Sequence, residues 1–150
     1  MNQKRIVIAA STAVILWLAG VRADGICAIT VRNASGSIAG RIDGDGTFRN
    51  AAGSISGRFE EGAVRDRSGS IIGHVDPDGT VRNKAGSIAG RVEQEGTLRN
   101  SAGAIIGRID DNGDVRGKSG SLGGRLDGYV PACRRTAAAY LFFFEPLMDQ

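Results

Sequence analysis

The chain has 150 residues, 41% hydrophobic, 5% aromatic and 23% charged, with 23 glycines and two cysteines. That length suits one domain with a modest core, and the glycines lack the every-third-residue spacing of collagen. One histidine and two cysteines exclude most zinc-site spacings and a Ser-His-Asp triad with a spare base.

The first stretch reads as an address. Lys4 and Arg5 precede an apolar run from Ile6 to Leu18, and Val21-Arg22-Ala23 closes it with small residues where a signal peptidase looks for them. Residues 1–23 are therefore expected to be a signal peptide, cleaved before Asp24, which places the mature chain in the periplasm or outside the cell. A membrane anchor is the alternative, but the run is short for a span and Ser11 and Thr12 dilute it. No transmembrane span is expected in the mature chain. Removing Lys4, Arg5 and Arg22 reduces the 19 basic residues to 16, equal to the 16 acidic ones. The formal charge of +3 thus belongs to the leader, and no nucleic-acid partner is expected.

From Val31 the sequence copies itself. The run Val31–Thr47 recurs as Val81–Thr97, and the marker arginines Arg32, Arg49, Arg65, Arg82, Arg99 and Arg116 stand 17 residues apart. The exception is 16 between Arg49 and Arg65, where the turn Glu60-Glu61-Gly62 is one residue short. A deletion in a turn is what a repeat of strands and turns tolerates best. Within a unit the period is two: Ile38, Gly40 and Ile42 are expected on one side, with Ala39, Arg41 and Asp43 on the other. Asp43-Gly44-Asp45-Gly46 suits a three-residue loop with Gly46 left-handed, a type I turn plus a glycine bulge. That register sets Ile42 opposite Phe48 and Arg41 opposite Arg49.

Residues 24–136 therefore read as an array of 17-residue β-hairpins. Six first strands lie around Ile38, Ile55, Ile71, Ile88, Ile105 and Leu122, and five second strands around Phe48, Val64, Val81, Leu98 and Val115. Ala28–Val31 fits a second-strand slot with nothing before it. The expected fold is all-β, a closed radial array of five intact hairpins plus one built from both chain ends. Closure removes the sheet edges. A β-solenoid is the rival, but six coils would part the ends by about 25–30 Å at one strand spacing per coil. A disulfide needs Cα atoms within about 7 Å, so a Cys27–Cys133 bond selects the ring. In an exported chain, cysteines at the two ends of a repeat array suggest such a clasp.

The segment 137–150 is expected to plug or cap the ring. Tyr140, Phe142, Phe143 and Phe144 are four of the chain's eight aromatic residues, whereas the hairpins, Phe48 and Phe59 apart, supply small and medium apolar groups. An exposed aromatic patch for a partner is the sharper alternative. The repeat Gly-Ser-Ile-x-Gly-Arg-(Ile/Val)-(Asp/Glu)-x-(Asp/Glu)-Gly-Thr-x-Arg-Asn, with this tail, resembles the bacterial β-flower repeat proteins, particularly the five-fold group. The resemblance covers nearly all of residues 24–145 and implies a small radial array of hairpins. It implies no established activity and carries no functional residues onto this chain.

Two sets of side chains are candidates for chemistry. Arg41, Arg58, Arg91, Arg108 and Arg125 share one slot of the repeat, which His74 fills between Arg58 and Arg91, and the marker arginines share another. Guanidinium rows fit anionic sugars or phosphates through forked hydrogen bonds; the bland reading is pairing with neighbouring carboxylates. The acidic turns, with Asp43, Asp45, Asp76, Asp78 and Asp110, offer oxygen ligands for calcium, though Asp and Gly are also what hairpin turns require. The Gly-x-x-x-Gly of Gly36–Gly40 and its copies lack the Gly-Lys-Ser/Thr and the helix of a phosphate loop, so close strand approach is their expected role. No catalytic residues and no cofactor are expected. The expected role is an exported structural or binding module, not an enzyme, with cell-surface components or anionic carbohydrate as partner. Calcium-dependent surface or matrix assembly is the alternative.

Overall fold

The computed structural model describes residues 27–145, so the expected leader Met1–Ala23 lies outside the described residues. Twelve short strands follow one another around a closed antiparallel barrel. They are β1 (Ile29–Asn33), β2 (Ile38–Ile42), β3 (Thr47–Asn50), β4 (Ile55–Glu60), β5 (Ala63–Asp66), β6 (Ile71–Val75), β7 (Thr80–Asn83), β8 (Ile88–Val92), β9 (Thr97–Asn100), β10 (Ile105–Ile109), β11 (Asp114–Gly117) and β12 (Leu122–Asp127). A 3-10 turn, Pro131–Cys133, leads into α1, Arg134–Phe143, the one α-helix among the described residues. Among the described residues no helix is long and apolar enough to cross a membrane.

The ring closes where the chain ends meet. β12 pairs with β1 through Arg125 opposite Arg32 and Leu126 opposite Val31, which makes the sixth hairpin. The Cys27–Cys133 disulfide fixes this seam, with Cα atoms 5.7 Å apart across 106 residues of sequence. The solenoid alternative is thereby excluded.

Turn chemistry sets the register of each hairpin. Gly46, at φ 92°, donates to the Asp43 carbonyl while Asp43 donates to that of Thr47. This is the type I turn with a glycine bulge, and Ile42 faces Phe48 and Arg41 faces Arg49 as its loop length requires. The shorter turn takes the other solution: Glu61 at φ 52° and Gly62 at φ 86° form a two-residue loop between Glu60 and Ala63. At this acidic rim the hairpins lean together, and the Gly46 carbonyl accepts the Phe59 amide of the next hairpin at 2.9 Å. At the opposite rim the tips stand apart, and five of the six are capped by a side chain such as Asn50, whose Oδ1 accepts the amides of Ala52 and Ser54; the sixth has Gly117 in that place.

Strict alternation fails at one position in every repeat. Val31 faces Gly40 but Arg32 faces Ile38, so Ala39 is an extra residue, a β-bulge. Ile38 therefore turns to the outer face, opposite an arginine, instead of joining Gly40 and Ile42 inside. The same shift leaves Ile55, Ile71, Ile88, Ile105 and Leu122 between 38% and 52% exposed. The inner wall is made by Val31, Ile42, Phe48, Val64, Leu98, Ile109 and their equivalents, all buried.

Helix α1 fills the lumen. It starts beside the disulfide at the acidic rim, and Ala137, Ala138, Ala139, Tyr140 and Leu141 are buried. A helix turns about 100° per residue, so consecutive aromatics leave it in different directions. Tyr140, Phe144, Phe143 and Phe142 reach Gly40, Gly57, Gly73 and Gly90, one on each of four successive hairpins. A Cβ at Gly57 would stand 2.6 Å from the Phe144 ring, and one at Gly90 2.6 Å from Phe142. Those glycines thus serve close approach of the plug's rings as well as of the strands, a partner that the strand-only explanation leaves out.

Candidate functional site

The barrel's outer face is where ionisable side chains gather. Residues between the inward positions of each strand point out, so the two arginine slots meet directly across every hairpin. Arg41 stands opposite Arg49, Arg58 opposite Arg65, Arg91 opposite Arg99, Arg108 opposite Arg116 and Arg125 opposite Arg32. His74 takes the same place opposite Arg82. Like charges placed directly across a strand pair are destabilising unless something neutralises them.

The marker row is neutralised from within. Arg49 donates Nε to Asp43 at 2.7 Å and its terminal nitrogen to the Gly53 carbonyl at 3.0 Å, tying the acidic rim to the tip. Arg82 does this with Asp76 and Gly86, Arg99 with Glu93 and Gly103, and Arg116 with Asp110 and Gly120. The Asp110 pairing holds the Arg116 guanidinium above its usual value. These pairs are part-exposed, and their role is register more than stability.

The other row is treated unevenly. Asp110 lies 3.1 Å from Arg108 as well as 2.9 Å from Arg116, and Glu60 lies 4.0 Å from Arg58 and 3.9 Å from Arg65. Asp114, a buried residue in the slot that Thr47 and Thr80 fill elsewhere, takes Arg125 at 2.9 Å. Arg41 and Arg91 are exposed, and among the described residues neither has a carboxylate within ion-pair distance. Arg91 acts on Asp78 only as a more distant charge. The pairing of Asp114 with Arg125 and the outward isoleucines were not legible in the sequence: the first depends on side-chain reach across β11 and β12, and the second follow from a bulge.

The carboxylates offered for calcium are engaged otherwise. Asp43, Asp76 and Asp110 hold arginines. Asp45 and Asp78 accept the Thr47 and Thr80 amides two residues on, at 3.0 Å, and these bonds hold both carboxyls below the usual range. The barrel sets the turns side by side without converging their oxygens. Among the described residues no three acids, histidines or cysteines come together as a metal set.

A family model described as five-fold β-flower protein matches residues 28–145. No curated protein and no solved structure matches the chain. The ring seen here holds five continuous hairpins and a sixth assembled from β12 and β1. That architecture and a match spanning all but the ends place the sequence: the chain belongs to the five-fold β-flower protein family.

Proposed function

We propose that the protein is an exported, non-enzymatic module that binds anionic carbohydrate or a comparable cell-surface polymer on its outer arginine rows. The observation that carries this reading is the opposition of arginine to arginine across five hairpins of a barrel closed by a disulfide. Facing guanidiniums on the outer wall present several forked donors to an acid group, and the closed ring holds them at a fixed spacing. The Lys4–Ala23 stretch and the disulfide support an oxidising address.

Isothermal titration with polygalacturonate, beside neutral dextran, tests the reading. Binding to the acidic polymer alone, weakened by salt and unchanged by a calcium chelator, is the expected result. Equal heats from both polymers, or none from either, would overturn it. Binding that requires calcium would favour assembly through the acidic rim instead.

A further inference from the structure

The hairpins of the ring differ in how their facing arginines are satisfied, and the difference singles out a subsite. In β4–β5 and β10–β11 one carboxylate of the protein sits between both arginines: Glu60 between Arg58 and Arg65, and Asp110 between Arg108 and Arg116. In β8–β9 Glu93 takes only Arg99, at 3.0 Å, and Arg91 stands opposite with no carboxylate in reach. In β2–β3 Asp43 likewise takes only Arg49, leaving Arg41. Six hairpins in the ring place these two on opposite sides of the barrel. The internal carboxylates show what the geometry accepts: one acid group between two facing guanidiniums.

The surroundings of Arg91 suit a sugar. A groove over β8 and β9 is lined by Ile88, Arg91, Arg99, Asn100 and Ser101 and contains no carboxylate. The corresponding groove over β4 and β5 contains Glu60 and Asp66. Asn100 uses its carbonyl oxygen on the amides of Ala102 and Ala104, which leaves its NH2 available as a donor, and Ser101 is exposed. Ile88, turned out by the bulge and 52% exposed, provides an apolar wall beside the charges. Sugar rings combine an apolar face with hydroxyls, and an acidic sugar adds a carboxylate with the two-oxygen geometry an arginine pair matches.

The geometry points to Arg91–Arg99, with Arg41–Arg49 as its counterpart across the ring, as the places where the carboxylate of a uronic-acid unit docks. This rests on the functional reading above and narrows it to two of the six hairpins. The hydroxyls of such a unit would meet Asn100 and Ser101, and its apolar face would lie on Ile88.

The test compares two double variants that remove the same charge from the same row. Arg41→Ala with Arg91→Ala removes the arginines that no carboxylate shares; Arg58→Ala with Arg108→Ala removes those already bridged. Each protein is titrated with trigalacturonate by calorimetry at fixed salt, after circular dichroism has shown an unchanged melting temperature. The first variant is expected to lose about tenfold or more in affinity, the size of one lost hydrogen bond to a charged group, and the second to stay within about threefold. Arg91→Lys keeps the charge but loses the fork, and an intermediate loss is expected. Equal losses from the two double variants would overturn the subsite and leave a diffuse cationic belt. Wild-type protein that ignores both trigalacturonate and polygalacturonate would overturn the functional reading itself.

Discussion

Tyr140 meets Phe48 edge-on, with ring centroids 5.3 Å apart, and its hydroxyl occupies the space where a Cβ on Gly40 would stand. The repeat's regular spacing of glycine thus answers, at Gly40, to a side chain a hundred residues away. Gly40→Ala must displace Tyr140 or the β2–β3 hairpin, and overpacking of this kind costs about 1–3 kcal/mol. Gly44, with no atom within 4 Å of an added Cβ, is the matched control and should tolerate alanine. Thermal melts of the two variants check this; equal melting temperatures would show that the plug does not press on the wall.

Much of the ring could be read from the chain. The Asp43–Gly46 loop length dictated Ile42 opposite Phe48, and the orphan strands with their cysteines dictated closure. Two features could not. Ile38 reads as an inward residue because alternation alone puts it there, and an inserted Ala39 leaves no compositional mark. The tail's helix was equally silent, since a helix buried on all sides shows no amphipathic stripe to find. The distinction between Arg91 and Arg58 depends on how far Glu93 and Glu60 reach, which needs side-chain geometry.

The plug carries a large share of the core. Tyr140 and Leu141 are each at most 2% exposed, and Phe142, Phe143 and Phe144 pack against the buried cluster. One buried side chain of this size is worth roughly 1.5–3 kcal/mol, against about 5–15 for a whole domain. A chain ending at Cys133 keeps the residues of the clasp but loses all of these. It should aggregate or lack a cooperative melt, and a monomer with the full-length melting temperature would disprove the plug's structural role.

The disulfide acts on the open chain. Closing a loop of 106 residues stabilises by about 4–5 kcal/mol in the chain-entropy model, and measured gains are usually smaller. The twelve strand pairings are hydrogen-bonded ladders of their own. Cys27→Ser with Cys133→Ser is therefore expected to lower the melting temperature while the far-ultraviolet spectrum keeps its β form. Loss of the β spectrum at 25 °C would mean that the β12–β1 seam cannot close unaided.

High pH should loosen the barrel through its plug. Burial, with the Glu145 charge adding to it, pushes the Tyr140 hydroxyl up to about 12 from 10.0. The folded state therefore keeps a proton that the unfolded chain releases above pH 10. The corresponding stability is complete below that pH and falls as pH rises toward 12. Burial moves Tyr129 the same way. Denaturant midpoints should drop between pH 10 and 12, and Tyr140→Phe should flatten that part of the profile. An identical alkaline slope in the variant would assign the loss elsewhere.

The shortened turn leaves one residue that can be improved. Glu61, at φ 52°, is the sole non-glycine residue with positive φ among those described, and with Gly62 it forms a two-residue hairpin loop. Such loops favour Asn-Gly, because asparagine tolerates the left-handed region that costs other side chains about 1–2 kcal/mol. Glu61 is exposed, so its carboxylate gains little from the fold. Glu61→Asn is expected to raise the melting temperature by about 2–4 °C, the shift that roughly 1 kcal/mol gives in a domain near this size. Glu60→Asn changes the same loop but deletes the carboxylate between Arg58 and Arg65, and should give no such rise. If both variants rise together, relief at φ 52° is not the cause. If Glu61→Asn melts at or below the parent, the strain at this turn is already offset by the residues around it.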